Sequence, residues 1–211
     1  MLSALDAFTR LHEGNRRFVA GHSTTSLSSA ARRSSLVEGQ EPFAIILGCS
    51  DSRVPAELVF DQGFGDLFVI RVAGNIVAPS QVGSVEFAAS RYATRLVVVM
   101  GHSQCGAIIA TLEELQGQAT NESWNLRSIV DRVRPSVEPL FAARPAFDQN
   151  ALVSEAVRAN VRASVDHLRH GSPLLEQLIR EHGLMIVGAE YSLETGVVDF
   201  FENVPLETMK Q

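Results

Sequence analysis

Four short apolar runs constrain the fold more than any other feature of the chain: Phe43 to Leu47, Leu67 to Val72, Leu96 to Met100 and Leu184 to Ala189. They are rich in β-branched residues, almost continuous in hydrophobicity and flanked by glycine or polar turns, the pattern of strands covered on both faces. Helical patterns separate them: Pro55 to Phe60 is short, Ser80 to Ala93 longer, and Ile108 to Leu115 follows the third run. Strand alternating with helix predicts a parallel sheet joined by crossover helices. The segment Thr120 to Glu181 predicts at least two more helices, the clearest over Ala151 to Arg169. There Leu152, Ala156, Val157, Val161, Val165 and Leu168 keep helical spacing, and Gly171 and Pro173 end it. Gly196 to Phe201 follows a tight turn and reads as an antiparallel edge strand. At the amino end, Leu5, Phe8, Leu11 and Phe18 predict an amphipathic arm stopped at Gly21. A Ser/Thr-rich loop then runs to Gln40, with a short helix around Ala30 to Leu36. The expected fold is α/β and doubly wound: a mostly parallel central sheet, an antiparallel C-terminal edge strand, flanking helices and an N-terminal helical arm. At 211 residues this suits a single domain over 1–211, with 1–40 as arm and loop.

Eighteen Lys and Arg against 24 Asp and Glu give a net charge of −6, which offers no basic footprint for nucleic acid. No apolar run approaches the roughly 20 residues of a membrane-spanning helix. The opening MLSALDAFTRLHEGNRRF alternates apolar and charged residues, unlike a signal peptide. A cytoplasmic location is expected, or a periplasmic one if the chain is a processed form. Two cysteines admit one disulfide, two separate thiols or a shared metal, and a reducing compartment disfavours the first.

Cys49 lies in GCSDSR directly after the first run, and Cys105 in GHSQCGA directly after the third, one turn from His102. If those strands are neighbours, two thiolates and an imidazole converge at strand carboxyl ends, where α/β sheets place their ligands. Three such ligands with an open fourth position describe a catalytic zinc site, and Asp51 is the candidate for the fourth. Sulfur with nitrogen suits zinc better than magnesium or calcium. Read singly, a cysteine at a strand end is a packing residue, and His102-x-x-Cys105 is a weak metal signal; the conjunction favours zinc. Arg53 paired with Asp51 would keep that carboxylate ionised as an acceptor. Released from Arg53, Asp51 would fall onto the metal and block it. The bland alternative is a local strand-end ion pair.

These residues resemble the β-class carbonic anhydrases. CSDSR and GHSQCGA carry the resemblance, which continues through PAELVFDQGFGDLFVIRVAGN to IVGAEYSLETGVV and covers roughly Leu11 to Phe200. It implies reversible hydration of carbon dioxide to bicarbonate, with one Zn2+ per subunit on Cys49, His102 and Cys105, and Asp51 a ligand only in a closed state. Asp51 and Arg53 become the catalytic dyad. Val54, Phe68, Ala73 and Gly106 are implied to line the carbon dioxide pocket, and Gln40 to point its amide at substrate across a dimer interface. The arm is implied to wrap a neighbour in a homodimer or homotetramer. One position departs from the pattern: a second, inhibitory bicarbonate site uses a Trp, an Arg and a Tyr, and here Arg71 and Tyr191 match while Ile46 stands in the Trp position. Hydrolysis of carbonyl sulfide or carbon disulfide on the same scaffold is a rival reading, and a noncatalytic zinc-stabilised oligomeric module is another. His22, His167, His170 and His182 read as surface or capping side chains.

Overall fold

The computed structural model describes residues 2–24, 29–118, 123–142 and 148–204. Its centre is a five-stranded sheet of β1 (Ala44–Gly48), β2 (Leu67–Arg71), β3 (Leu96–His102), β4 (Met185–Tyr191) and β5 (Val198–Glu202), ordered β2-β1-β3-β4-β5. The first four are mutually parallel and β5 is antiparallel to β4, as the sequence predicts. The β4–β5 turn closes with the Ser192 N–H on the Val197 carbonyl at 2.9 Å, and Gly196 supplies the left-handed φ of 75° that it needs.

Successive residues of a strand face opposite sides, and β1 shows the consequence. Ile46 joins a cluster with Phe8, Leu11, Phe60, Val98 and Val187, covered by α1 (Ala4–Val19) and α3 (Ala56–Val59). Ile45 and Leu47 face the other way, toward α4 (Pro79–Arg91), α7 (Gln149–His170) and α8 (Pro173–His182). A third cluster caps the carboxyl ends of β1 and β3. It packs Cys49 and Cys105 with residues of α5 (Gly106–Leu115), α6 (Trp124–Ala142) and the first half of α7. The sheet's chemistry-bearing end is thus roofed with apolar side chains.

Several expectations are refined. The segment 120–181 holds three helices, α6, α7 and α8; residues 119–122 and 143–147 lie outside those described. α6 contains Pro135 and Pro139, which interrupt the helical signal in the sequence. The short helix near Ala30 is α2 (Ala30–Ser35), while 25–28 of the Ser-rich loop and 205–211 at the carboxyl end are not described. α1 packs on its own chain through Ala7, Phe8 and Leu11. Asn15 fastens it: its amide donates to the carbonyls of Val59 (3.1 Å) and Gly196 (2.8 Å) and accepts from the Val198 N–H (2.9 Å). No helix among the described residues is long and apolar enough to cross a membrane.

Candidate metal centre

Because β1 and β3 are adjacent, with Gly48 level with Met100, the chain leaving β1 at Cys49 emerges beside His102 at the end of β3. Gln104 adopts a φ of 55° and turns the chain back, so that Cys105 returns to the same point as the residue capping α5. The two sulfurs and one ring nitrogen lie within 4.8 Å of one another, and all three residues are buried. Ser103 sets the imidazole's orientation. Its carbonyl lies 2.9 Å from His102 Nδ1, which therefore carries the proton and leaves Nε2 as the lone-pair donor. That Nε2 is buried and has no hydrogen-bond partner. A buried polar atom without a partner is costly, and a cation between the sulfurs and Nε2 would satisfy it. The donor set fits zinc, being soft sulfur and borderline nitrogen in a group of three, the number that a catalytic zinc site takes from the protein.

The electrostatics agree. In the chain alone the thiols share a proton: the Cys105 S–H stabilises the Cys49 thiolate, which falls well below the ordinary thiol range. The Cys105 thiol is pushed up by the same contact and by burial. Burial works against a charged His102, yet the neighbouring Cys49 thiolate draws its pKa above the ordinary value. An anionic sulfur beside a buried imidazole favours a cation in the same place, and binding one would displace the protons held there.

Asp51 stands at the rim with Oδ2 3.9 Å from His102 Nε2. Arg53 grips it through three hydrogen bonds: the backbone N–H and Nε to Oδ1 at 3.0 and 2.9 Å, and Nη2 to Oδ2 at 2.7 Å. The carboxyl is held well below the usual range by these bonds, against a smaller opposing effect of burial. Arg53 also reaches the Gln104 carbonyl at 3.5 Å, joining the two loops that carry the cysteines. Arg71, at the end of β2, donates to the carbonyls of Cys49 (2.9 Å) and Asp51 (2.6 Å) and fixes the loop from the other side. On the inner side the Gly74 N–H donates to Cys49 Sγ at 3.4 Å.

The residues singled out in the sequence divide in two. Cys49, His102, Cys105, Asp51 and Arg53 converge; Val54 and Gly106 follow them in the same loops, and Ala73 lies in the turn after β2, next to Gly74, which touches Cys49. Gln40 and Phe68 do not join them. Gln40 lies before the amino end of β1, opposite Cys49, and its amide donates to the Tyr92 hydroxyl at 3.0 Å. Phe68 stacks with Tyr92 and Phe87, each 6.2 Å away, on the free edge of the sheet. Ile46 is fully buried mid-sheet, Tyr191 is buried, and Arg71 is engaged with the Cys49 loop. Sequence reasoning missed the brace made by Arg71 and the contacts of Gly74. It also passed over Asn160 and Ser164, whose signal was present: two polar residues four apart on the otherwise apolar face of α7.

A family model described as carbonic anhydrase matches residues 44–198. Carbonic anhydrase 2 of Mycobacterium tuberculosis is 40% identical over 190 residues, covering 90% of this chain and 89% of its own length. The carbonic anhydrase of Mycolicibacterium smegmatis is 38% identical over 193 residues, covering 92% and 91%. Among solved structures, the chain is similar to a tetrameric β-carbonic anhydrase of the fungus Sordaria macrospora. There the TM-score is 0.73 at 25% identity, over 80% of this chain and 85% of that one.

Proposed function

The chain belongs to the β-class carbonic anhydrases, and from that premise we propose that Cys49, His102 and Cys105 hold one Zn2+ per chain and that Asp51, positioned by Arg53, serves the reaction beside it. It is an enzyme of the reversible hydration of carbon dioxide to bicarbonate and a proton. The observation that carries the metal assignment is the buried Cys49–His102–Cys105 group with its unpartnered Nε2. Zinc held there supplies a Lewis acid that brings the pKa of a water toward about 7, making hydroxide available at neutral pH.

The chain's own residues do the rest. Two thiolates offset the two charges of the metal, so the site neither strongly holds nor repels a departing bicarbonate anion. Asp51, ionised and therefore only an acceptor, takes a hydrogen bond from the attacking oxygen and turns its lone pair toward carbon. Arg53 keeps that carboxylate off the metal and correctly rotated by its paired hydrogen bonds. Val54, Ala73 and the backbone at Gly106 give the nonpolar substrate an apolar seat. The oxygen adds to carbon, bicarbonate leaves, and the proton given up by water passes to solvent.

Self-association completes this reading. Gln40, Phe68, Phe87 and Tyr92 form a patch along the unpaired edge at β2, with Phe87 52% and the nearby Val37 82% exposed. A second copy docked on that edge would receive Gln40 and Phe68 at its own metal centre. Cys49→Ser and Cys105→Ser should each lose both bound zinc and stopped-flow carbon dioxide hydration. Full hydration activity in a metal-free variant would sink the assignment.

A further inference from the structure

We propose that Asn160 is a positioning residue for the metal centre, acting through the Gly74 turn on the Cys49 sulfur; this rests on the zinc reading above. The inner face of α7 is apolar and buried at Leu152, Ala156, Val157, Val161, Val165 and Leu168. Asn160 and Ser164 interrupt that face, 3% and 5% exposed. Polar side chains are costly to bury unless they find partners. Both find them far along the chain: Asn160 Nδ2 donates to the Gly74 carbonyl at 2.7 Å, and Ser164 Oγ to the Asn75 carbonyl at 3.1 Å.

The turn so held is not one the backbone adopts freely. Gly74 has φ 69°, ψ 18°, and Asn75 follows with φ 43°, two consecutive left-handed residues of which only one is glycine. The space is tight as well, for a Cβ on Gly74 would stand 3.0 Å from that of Ala107. This conformation aims the Gly74 N–H at Cys49 Sγ. An N–H directed at a thiolate draws electron density from the sulfur and fixes the direction of its lone pairs, which sets how strongly it donates to a cation. A backbone N–H has no side chain through which to be tuned, so control passes to Asn160, with Ser164 one turn further along α7. Groups behind metal ligands commonly alter metal affinity by about 10–100-fold.

The test uses full-length protein loaded with Zn2+ or with Co2+, whose thiolate-to-metal charge-transfer band reports the sulfur directly. Asn160→Leu keeps the side chain's bulk and removes the donor. It should take up metal to the same stoichiometry, release Zn2+ to a chromogenic chelator about 10-fold faster and shift the cobalt band. Ser164→Ala should move both readouts the same way by less, and it carries the test alone if Asn160→Leu does not fold. Leu168→Ala on the same helix, packed away from the turn, should lower stability while leaving band and release rate unchanged. Wild-type release and an unmoved band in the Asn160 and Ser164 variants would overturn the proposal, as would equal changes in Leu168→Ala. Wild-type protein that takes up no zinc would instead overturn the metal assignment itself.

Discussion

Arg53 spends its backbone N–H and two guanidinium nitrogens on one carboxylate two residues away, although the side chain is 54% exposed. Such an exposed pair adds little to stability, so its worth lies in where it holds Asp51. Removing the guanidinium frees Asp51 to rotate toward His102 Nε2, 3.9 Å from its Oδ2. Arg53→Ala should therefore lower kcat/KM for carbon dioxide hydration about 100-fold, the scale of a reacting group misplaced by an ångström, with little change in melting temperature. Arg53→Lys should recover only part of the loss, since an ammonium lacks the fork that meets both carboxylate oxygens. Stopped-flow rates on the three proteins check this, and an unaltered kcat/KM in Arg53→Ala would take the pair out of the mechanism. The dyad was legible in the sequence because its members are two residues apart. Arg71, which braces the same loop from β2, was not, because only the register of β1 with β2 brings it there.

At the scale of elements, α1 is tied to the domain by Asp61. Its carboxylate is 2% exposed, accepts from Arg17 Nε at 2.6 Å and from the Thr24 N–H at 2.8 Å, and so pins the end of the arm to the turn after α3. Burial alone would raise the pKa of Asp61, but Arg17 and Thr24 outweigh it and the folded value is depressed. A depressed carboxylate contributes stability above its unfolded pKa of about 3.9 and loses it as pH falls through the folded value. Asp61→Asn should thus cost about 1–3 kcal/mol at pH 7, and the gap from wild type should shrink below about pH 4. Urea unfolding at equal protein concentration and two pH values measures it; a gap that widens in acid would refute the assignment. The central strands were legible as short, almost continuous apolar runs and most helices by their apolar spacing. α6 was harder because Pro135 and Pro139 break its pattern, and Asn160 and Ser164 went unread because their partners, the Gly74 and Asn75 carbonyls, lie 86 and 89 residues away along the chain.

At the scale of the molecule, β2 and β5 stand at the edges of the sheet formed by the described residues, and the aromatic patch of Phe68, Phe87 and Tyr92 with Gln40 lies along β2. An exposed edge beside apolar side chains invites pairing. Phe87→Lys, which puts a charge in that patch, should shift the protein to monomers in sedimentation experiments. It should also lower hydration activity while leaving zinc content intact, because the proposed donors Cys49, His102 and Cys105 all belong to one chain. Monomeric protein with full activity would show that a second copy adds nothing to the site. The chemistry of the residues does not show where Gln40 and Phe68 sit: the resemblance brings both to the substrate, Gln40 from across an interface, and the fold sets Gln40 before the amino end of β1 and Phe68 level with Ile45 on β2, away from Cys49 of the same chain.

The chain leaves β1 for the outside of the sheet and returns past it, so Cys49 meets His102 and Cys105 only after a long excursion. A cation gripped by all three is then a cross-link, closing a loop whose random closure would be entropically unfavourable. If the three donors hold the metal as proposed, they also subtract freedom from the unfolded chain, so a lesion among them is a lesion in folding as well as in chemistry.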